Sequence, residues 1–156
     1  MFKKILPEDI FISVLASYKP SEAELWTNRI DPTRPGRYLS GSEVIDAFVD
    51  LLHKHRHVTC DLYARLLGFS KRDLGGFFHV MTGIPFQEWR DRYLVLMAKQ
   101  LLDKTDMSST EVGKWMGFNS VNVFGRWFLQ KTGRQPIEYR RGWRGKDRRA
   151  KYHFDD

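Results

Sequence analysis

One long motif occurs twice in this chain. Residues 116–140 read MGFNSVNVFGRWFLQKTGRQPIEYR, and residues 67–90 read LGFSKRDLGGFFHVMTGIPFQEWR. Gly133 answers Gly83, Phe128 answers Phe78, and Glu138-Tyr139-Arg140 answers Glu88-Trp89-Arg90, all at an offset of 50 residues. Gly117-Phe118 answers Gly68-Phe69 at an offset of 49, so the two turns differ by one residue. A repeat near this period marks duplicated supersecondary units. Two copies are too few for a solenoid, so the chain must build a pair of similar units and a connection between them.

Each copy reads as helix, tight turn, helix. In the second, Gly117 tolerates the positive φ of a turn, and Ser120 can cap the next helix by accepting a backbone N–H. Phe124, Trp127 and Phe128 then share one face at i, i+3 and i+4. Asn122, Arg126 and Gln130 share another at i, i+4 and i+8. Gly133 ends the helix, and Pro136 restarts the chain at a favoured first helical position. An amide and a guanidinium on one face can pair bidentately with base edges in a major groove, and Val121 and Val123 beside them can meet thymine methyls. Ahead of each turn glycine, at four residues, stands a small residue, Ala64 or Gly113, which lets two helices cross closely.

In the first copy, Ser70 with Asp73 predicts a capped helix over 71–82. Leu74, Phe78 and Met81 turn inward, leaving Lys71, Arg72, Gly75, Gly76 and His79 outward. Each glycine costs a helix about 1 kcal/mol relative to alanine. Two readings follow. The glycines permit close approach of a phosphate backbone or another helix, or this unit has lost base readout.

These residues resemble the DNA-binding domain of the AraC/XylS family of bacterial transcription regulators. The second copy matches through its GF-N-S turn, Phe124, Arg126, Phe128, Lys131, Gly133, Pro136 and Glu138-Tyr139-Arg140. The first matches at Ala64, Leu67-Gly68, Ser70, Leu74, Phe78 and Gly83, and the segment between them at Ala98, Leu101-Leu102 and Thr105. The resemblance covers residues 42–141. It implies an all-α fold of seven helices: two helix-turn-helix subdomains (42–84 and 105–141) joined by a long central helix (85–104). It further implies a double-stranded DNA partner. Lys71, Arg72, His79, Ser120, Val121, Asn122, Arg126, Gln130, Lys131, Arg140 and Arg141 are the candidate DNA-binding residues. The chain departs from the family pattern at Leu94, where an arginine is usual. It departs again at Ser109 and Gly113, in place of isoleucine and alanine, which predicts a looser second unit.

Outside the repeats, Val44, Ile45, Phe48, Leu51 and Leu52 predict the buried face of a helix over 42–55. His53, His55 and His57 alternate at its end, but i and i+2 point different ways on a helix, so they do not form a chelating pair; they are expected half-exposed near DNA. The segment 85–104 predicts a helix of about 28–30 Å at 1.5 Å per residue, with Tyr93, Met97, Leu101 and Leu102 in the core. Ser108 and Glu111 predict a capping box.

Residues 1–41 predict a short helical N-terminal extension and a linker. Pro7 and two acids suit a helix start, with Ile10 and Val14 on an apolar stripe; Ser21 and Glu24 suit a second cap. This arm either packs on the main domain, or it dimerises the protein or docks another, RNA polymerase among the candidates. It is too short for a ligand-sensing domain. The expected state is monomer or weak dimer. Residues 142–156 form a basic tail that ends acidic and suits phosphate contact.

A net charge of +7 with pI ≈ 9.6 favours a polyanionic partner. The single cysteine, Cys60, fits a reducing interior, and no apolar run approaches the roughly 20 residues that span a bilayer. The expected location is therefore cytoplasmic, with the nucleoid. No nucleophile–base pair, phosphate loop or metal cluster has a recognisable spacing, so neither an enzyme nor a cofactor is expected. Three functions fit: a sequence-specific transcription regulator, a DNA-binding accessory or architectural protein with weak readout, and a protein-interaction module that keeps the fold.

Overall fold

The computed structural model describes residues 4–17 and 40–144, and within them the side chains of 4–15 and 40–140. Seven α-helices form among the described residues: α1 (Glu43–His55), α2 (Cys60–Leu67), α3 (Lys71–Thr82), α4 (Phe86–Lys104), α5 (Ser109–Met116), α6 (Val121–Thr132) and α7 (Pro136–Arg144). Five of the seven starts carry a side-chain cap. Ser42, Thr59, Ser70, Ser108 and Ser120 accept the N–H three residues on, and Ser108 with Glu111 closes a full capping box. Four helices stop at a left-handed glycine, Gly68, Gly83, Gly117 or Gly133. The ends of α3 and α6 repeat in detail: Thr82 and Thr132 each donate back to the carbonyl four residues earlier, at 2.6 and 2.7 Å.

The core is aromatic and continuous through α4. In the first unit Phe48 sits within 4.7–5.8 Å, ring to ring, of Tyr63, Phe78, Phe86 and Trp89. In the second, Phe118, Phe124 and Phe128 are buried in sequence, and Tyr139 of α7 closes the stack on Phe128 at 5.7 Å. Leu94, Met97, Leu101 and Leu102 of α4 have no exposed surface. Such rings bury about 150–250 Å² each, which is how two units this small stay folded.

The N-terminal arm differs from the helix its sequence predicts. It forms two short 3₁₀ turns, Pro7–Asp9 and Val14–Ser17. Between and at the turns its backbone bonds cross to α4: Ile12 N–H donates to Tyr93 Oη at 3.0 Å and Val14 N–H to Gln100 Oε1 at 2.7 Å. The indole of Trp89 donates to Ile5 O at 2.9 Å. Ile10 and Val14 are 6% and 1% exposed within their own chain. The apolar stripe is thus covered by α4 and is not a free dimerisation surface. The expected cap at Ser21 and the basic tail beyond residue 144 lie outside the described residues.

Candidate nucleic-acid interface

The geometry of α6 is set from behind. Phe124 and Phe128 are fully buried, and Trp127 packs on Phe118 at 5.0 Å. At the crossing of α5 with α6, a Cβ on Gly113 would lie 2.9 Å from Phe124 Cβ. The crossing is therefore tighter than alanine permits, which corrects the expectation that Gly113 loosens this unit. With that face pinned, Asn122, Arg126 and Gln130 are exposed, with Val121 and Val123 each 38% exposed beside them. Ser120, the cap, is exposed at the head of the helix. A cleft of about 640 Å³ runs along this face, lined by Asn122, Arg126, Leu129, Gln135 and Ile137 among others.

Helix α3 repeats the arrangement position for position: residues 71–80 and 121–130 have the same sequence of exposed, intermediate and buried sites. Leu74 and Phe78 take the places of Phe124 and Phe128. Lys71, Arg72 and His79 are exposed, with Lys71 in a loose 3.7 Å pair with Asp61. Gly75 and Gly76 stand where α6 has Gly125 and Arg126. A Cβ on either would meet nothing within 4 Å, so no neighbouring helix of this chain requires those glycines.

Two of the candidate residues point elsewhere. Lys131 turns from the α6 face to Asp91 of α4, Nζ to Oδ2 at 3.0 Å. Arg140 is 6% exposed and its Nε donates to Leu102 O at 3.0 Å, so it ties α7 to α4 and does not reach the surface. The side chain of Arg141 lies outside the described residues.

The sequence left unread a polar junction between the two units. Arg90 and Asp91 are 6% and 2% exposed. Arg90 donates to Asp91 Oδ1 through Nη2 at 2.8 Å and through Nε at 3.1 Å, and to Val58 O through Nη1 at 2.8 Å. Where Leu94 is buried among apolar side chains, Arg90 one helical turn earlier reaches the α1–α2 loop. The only sequence signal was two adjacent opposite charges in an otherwise core-facing register, a pattern more common on surfaces.

Two of the histidines pack within the protein. His53 Nε2 lies 2.7 Å from Tyr93 Oη. The His57 ring stacks on Phe118 at 4.1 Å and stands edge-on to Trp127 at 5.9 Å. Burial pushes the His57 pKa below its ordinary value, and the Arg90 guanidinium pushes it the same way, against a smaller opposing effect of Asp91. The unfolded chain therefore binds a proton at this site more readily than the folded one does. Stability contributed here is present above the ordinary histidine pKa of about 6.5 and falls as pH drops through it, levelling off below the folded-state pKa. Urea midpoints measured from pH 8 to pH 5 are expected to fall more for the wild type than for His57→Gln; parallel curves would contradict the assignment.

The helix-turn-helix domain family matches residues 63–142, just over half of the chain. This chain belongs to that family, in its AraC-type form. The AraC-type domain is also similar to the arabinose operon regulatory protein of Salmonella typhimurium, 30% identical over 106 residues, covering 68% of this chain and 34% of the relative. The HTH-type transcriptional regulator RipA of Corynebacterium glutamicum is 30% identical over 125 residues, covering 79% of this chain and 36% of that protein. The chain thus spans about a third of the length of these curated relatives. Among solved structures, the DNA-binding domain of AdpA in complex with a target DNA superposes with a TM-score of 0.60 at 26% identity, covering 69% of this chain and 99% of that one. No helix among the described residues is long and apolar enough to cross a membrane.

Proposed function

We propose that this AraC-type domain is the DNA-binding part of a transcription regulator and places α3 and α6 in successive major grooves, with α6 dominating base readout. The observation that carries the reading is the matched burial of α3 and α6 combined with their unequal outward chemistry. Both present the same face. Helix α6 puts an amide and a mid-helix guanidinium on it, from Asn122 and Arg126, while the corresponding positions of α3 hold Arg72, in its first turn, and Gly76. A glycine cannot reach a base edge, so Lys71, Arg72 and His79 are left to contact phosphates, which position the protein without reading sequence. The 19 residues of α4 span about 28 Å, close to the ~34 Å turn of B-DNA that separates successive major grooves on one side. The DNA-facing set is Lys71, Arg72, His79, Ser120, Val121, Asn122, Arg126 and Gln130.

Selection of binding sequences from a random pool tests this. One information-rich half-site is expected, with a second half about one helical turn away that is poorly specified yet protected from cleavage. Two equally specified halves would overturn the unequal assignment. The open glycines also favour a second reading, an architectural protein in which close backbone approach matters more than readout. Occupancy mapped in cells separates the two: sharp promoter peaks support a regulator, and broad coverage supports the architectural role.

A further inference from the structure

We infer that Lys131 and Asp91 are positioning residues that fix the phase between the two recognition helices. The inference rests on the DNA-binding reading above. Lys131 occupies the last turn of α6, and its Nζ lies 3.0 Å from Asp91 Oδ2. The other oxygen of Asp91 takes both bonds from Arg90, whose remaining nitrogen holds the Val58 carbonyl in the α1–α2 loop. An unbroken chain of charged hydrogen bonds therefore runs from a loop of the first unit, through α4, to the second recognition helix.

The same loop is gripped from its other side by the second unit. His57 N–H donates to Met116 O at 2.9 Å, and His57 O lies 3.2 Å from where a Cβ on Gly117 would stand. The Arg56 guanidinium lies 3.5 Å from the centre of the Trp115 ring. Arg56 holds a φ of 59° with ψ −126°, the one positive-φ residue other than glycine among the described residues. Such a backbone persists only where surrounding contacts over-determine it.

Apolar packing is non-directional and tolerates sliding, whereas charge-assisted hydrogen bonds demand geometry. One base pair advances about 3.4 Å along the duplex, so a slip of that size between α3 and α6 would put one reader out of step. At α6, that slip is opposed by the bond that takes Lys131 away from the DNA-facing surface.

The variant is Lys131→Gln, which leaves Asp91 paired with Arg90. Binding is measured on the selected full site, on a duplex carrying only the α6 half-site, and on full sites with one base pair inserted between the halves. Half-site affinity and its salt dependence are expected to match the wild type. Full-site affinity is expected to fall about three- to tenfold, and the penalty for the inserted base pair to shrink. Equal weakening on every duplex, with a flatter salt dependence, would make Lys131 a phosphate contact and overturn the inference. An unchanged spacing profile would overturn it as well.

A readout without DNA separates this from the function it rests on. Spin labels at Val80→Cys and Leu129→Cys, both exposed, with Cys60→Ser, report the α3–α6 distance. The distribution is expected to broaden in Lys131→Gln, and an unchanged one rejects the positioning role. A broadened distribution in a protein that selects no DNA sequence would keep the positioning role and reject the proposed readout.

Discussion

Arg126→Ala is expected to lower affinity for the selected site about ten- to a hundredfold and to relax one base position. An arginine paired with guanine O6 and N7 discriminates by about 1–3 kcal/mol, and each 1.4 kcal/mol is about tenfold. Arg126 is exposed on a helix whose opposite face is pinned by Phe124 and Phe128, so its loss removes a contact without disturbing the core. Arg72→Ala on α3 is the comparison. It is expected to weaken all sequences by similar amounts and to flatten the salt dependence, since phosphate contacts release counterions and choose no base. Selections repeated with both variants check this. An Arg126→Ala protein with undiminished selectivity would show that the readout lies elsewhere.

Gly113→Val is expected to destabilise the protein by about 1–3 kcal/mol, the usual cost of overfilling a packed site. The new Cβ would begin 2.9 Å from Phe124 Cβ and 3.0 Å from its Cγ, both near the backbone and unable to swing away. Relief requires α5 to move off α6, which would shift the exposed face of α6 along with its buried one. Gly76→Ala supplies the contrast. There the Cβ meets nothing within 4 Å, and alanine is the better helix former by about 1 kcal/mol, so a gain of about 0.5–1 kcal/mol is expected. Urea titration of the two variants measures both. A Gly113→Val protein as stable as the wild type would mean that the close crossing does not constrain α6.

Much of the architecture was legible in the residues because its signals are local. The caps at Ser42, Thr59, Ser70, Ser108 and Ser120, the left-handed stops at Gly68, Gly83, Gly117 and Gly133, and the 3.6-residue aromatic spacing each act within one or two helical turns. They are enough to place five helix starts and four helix ends. The repeat at an offset of 50 residues then says that two units share one plan, and hence which face of α6 corresponds to which face of α3.

Only the tertiary structure decided where long polar side chains go. Lys131 and Arg140 sit in the motif beside surface residues, yet one reaches Asp91 and the other the Leu102 carbonyl. Their direction depends on partners 40 and 38 residues away, and a flexible side chain can follow either course from the same backbone. The arm shows the same limit. Its apolar spacing suits a helix, but Tyr93 and Gln100 of α4 take the backbone N–H groups of Ile12 and Val14, and the arm forms short turns. Local sequence sets helices because their hydrogen bonds close within four residues; junctions between units close over the whole chain, and their geometry exists only once both units have folded.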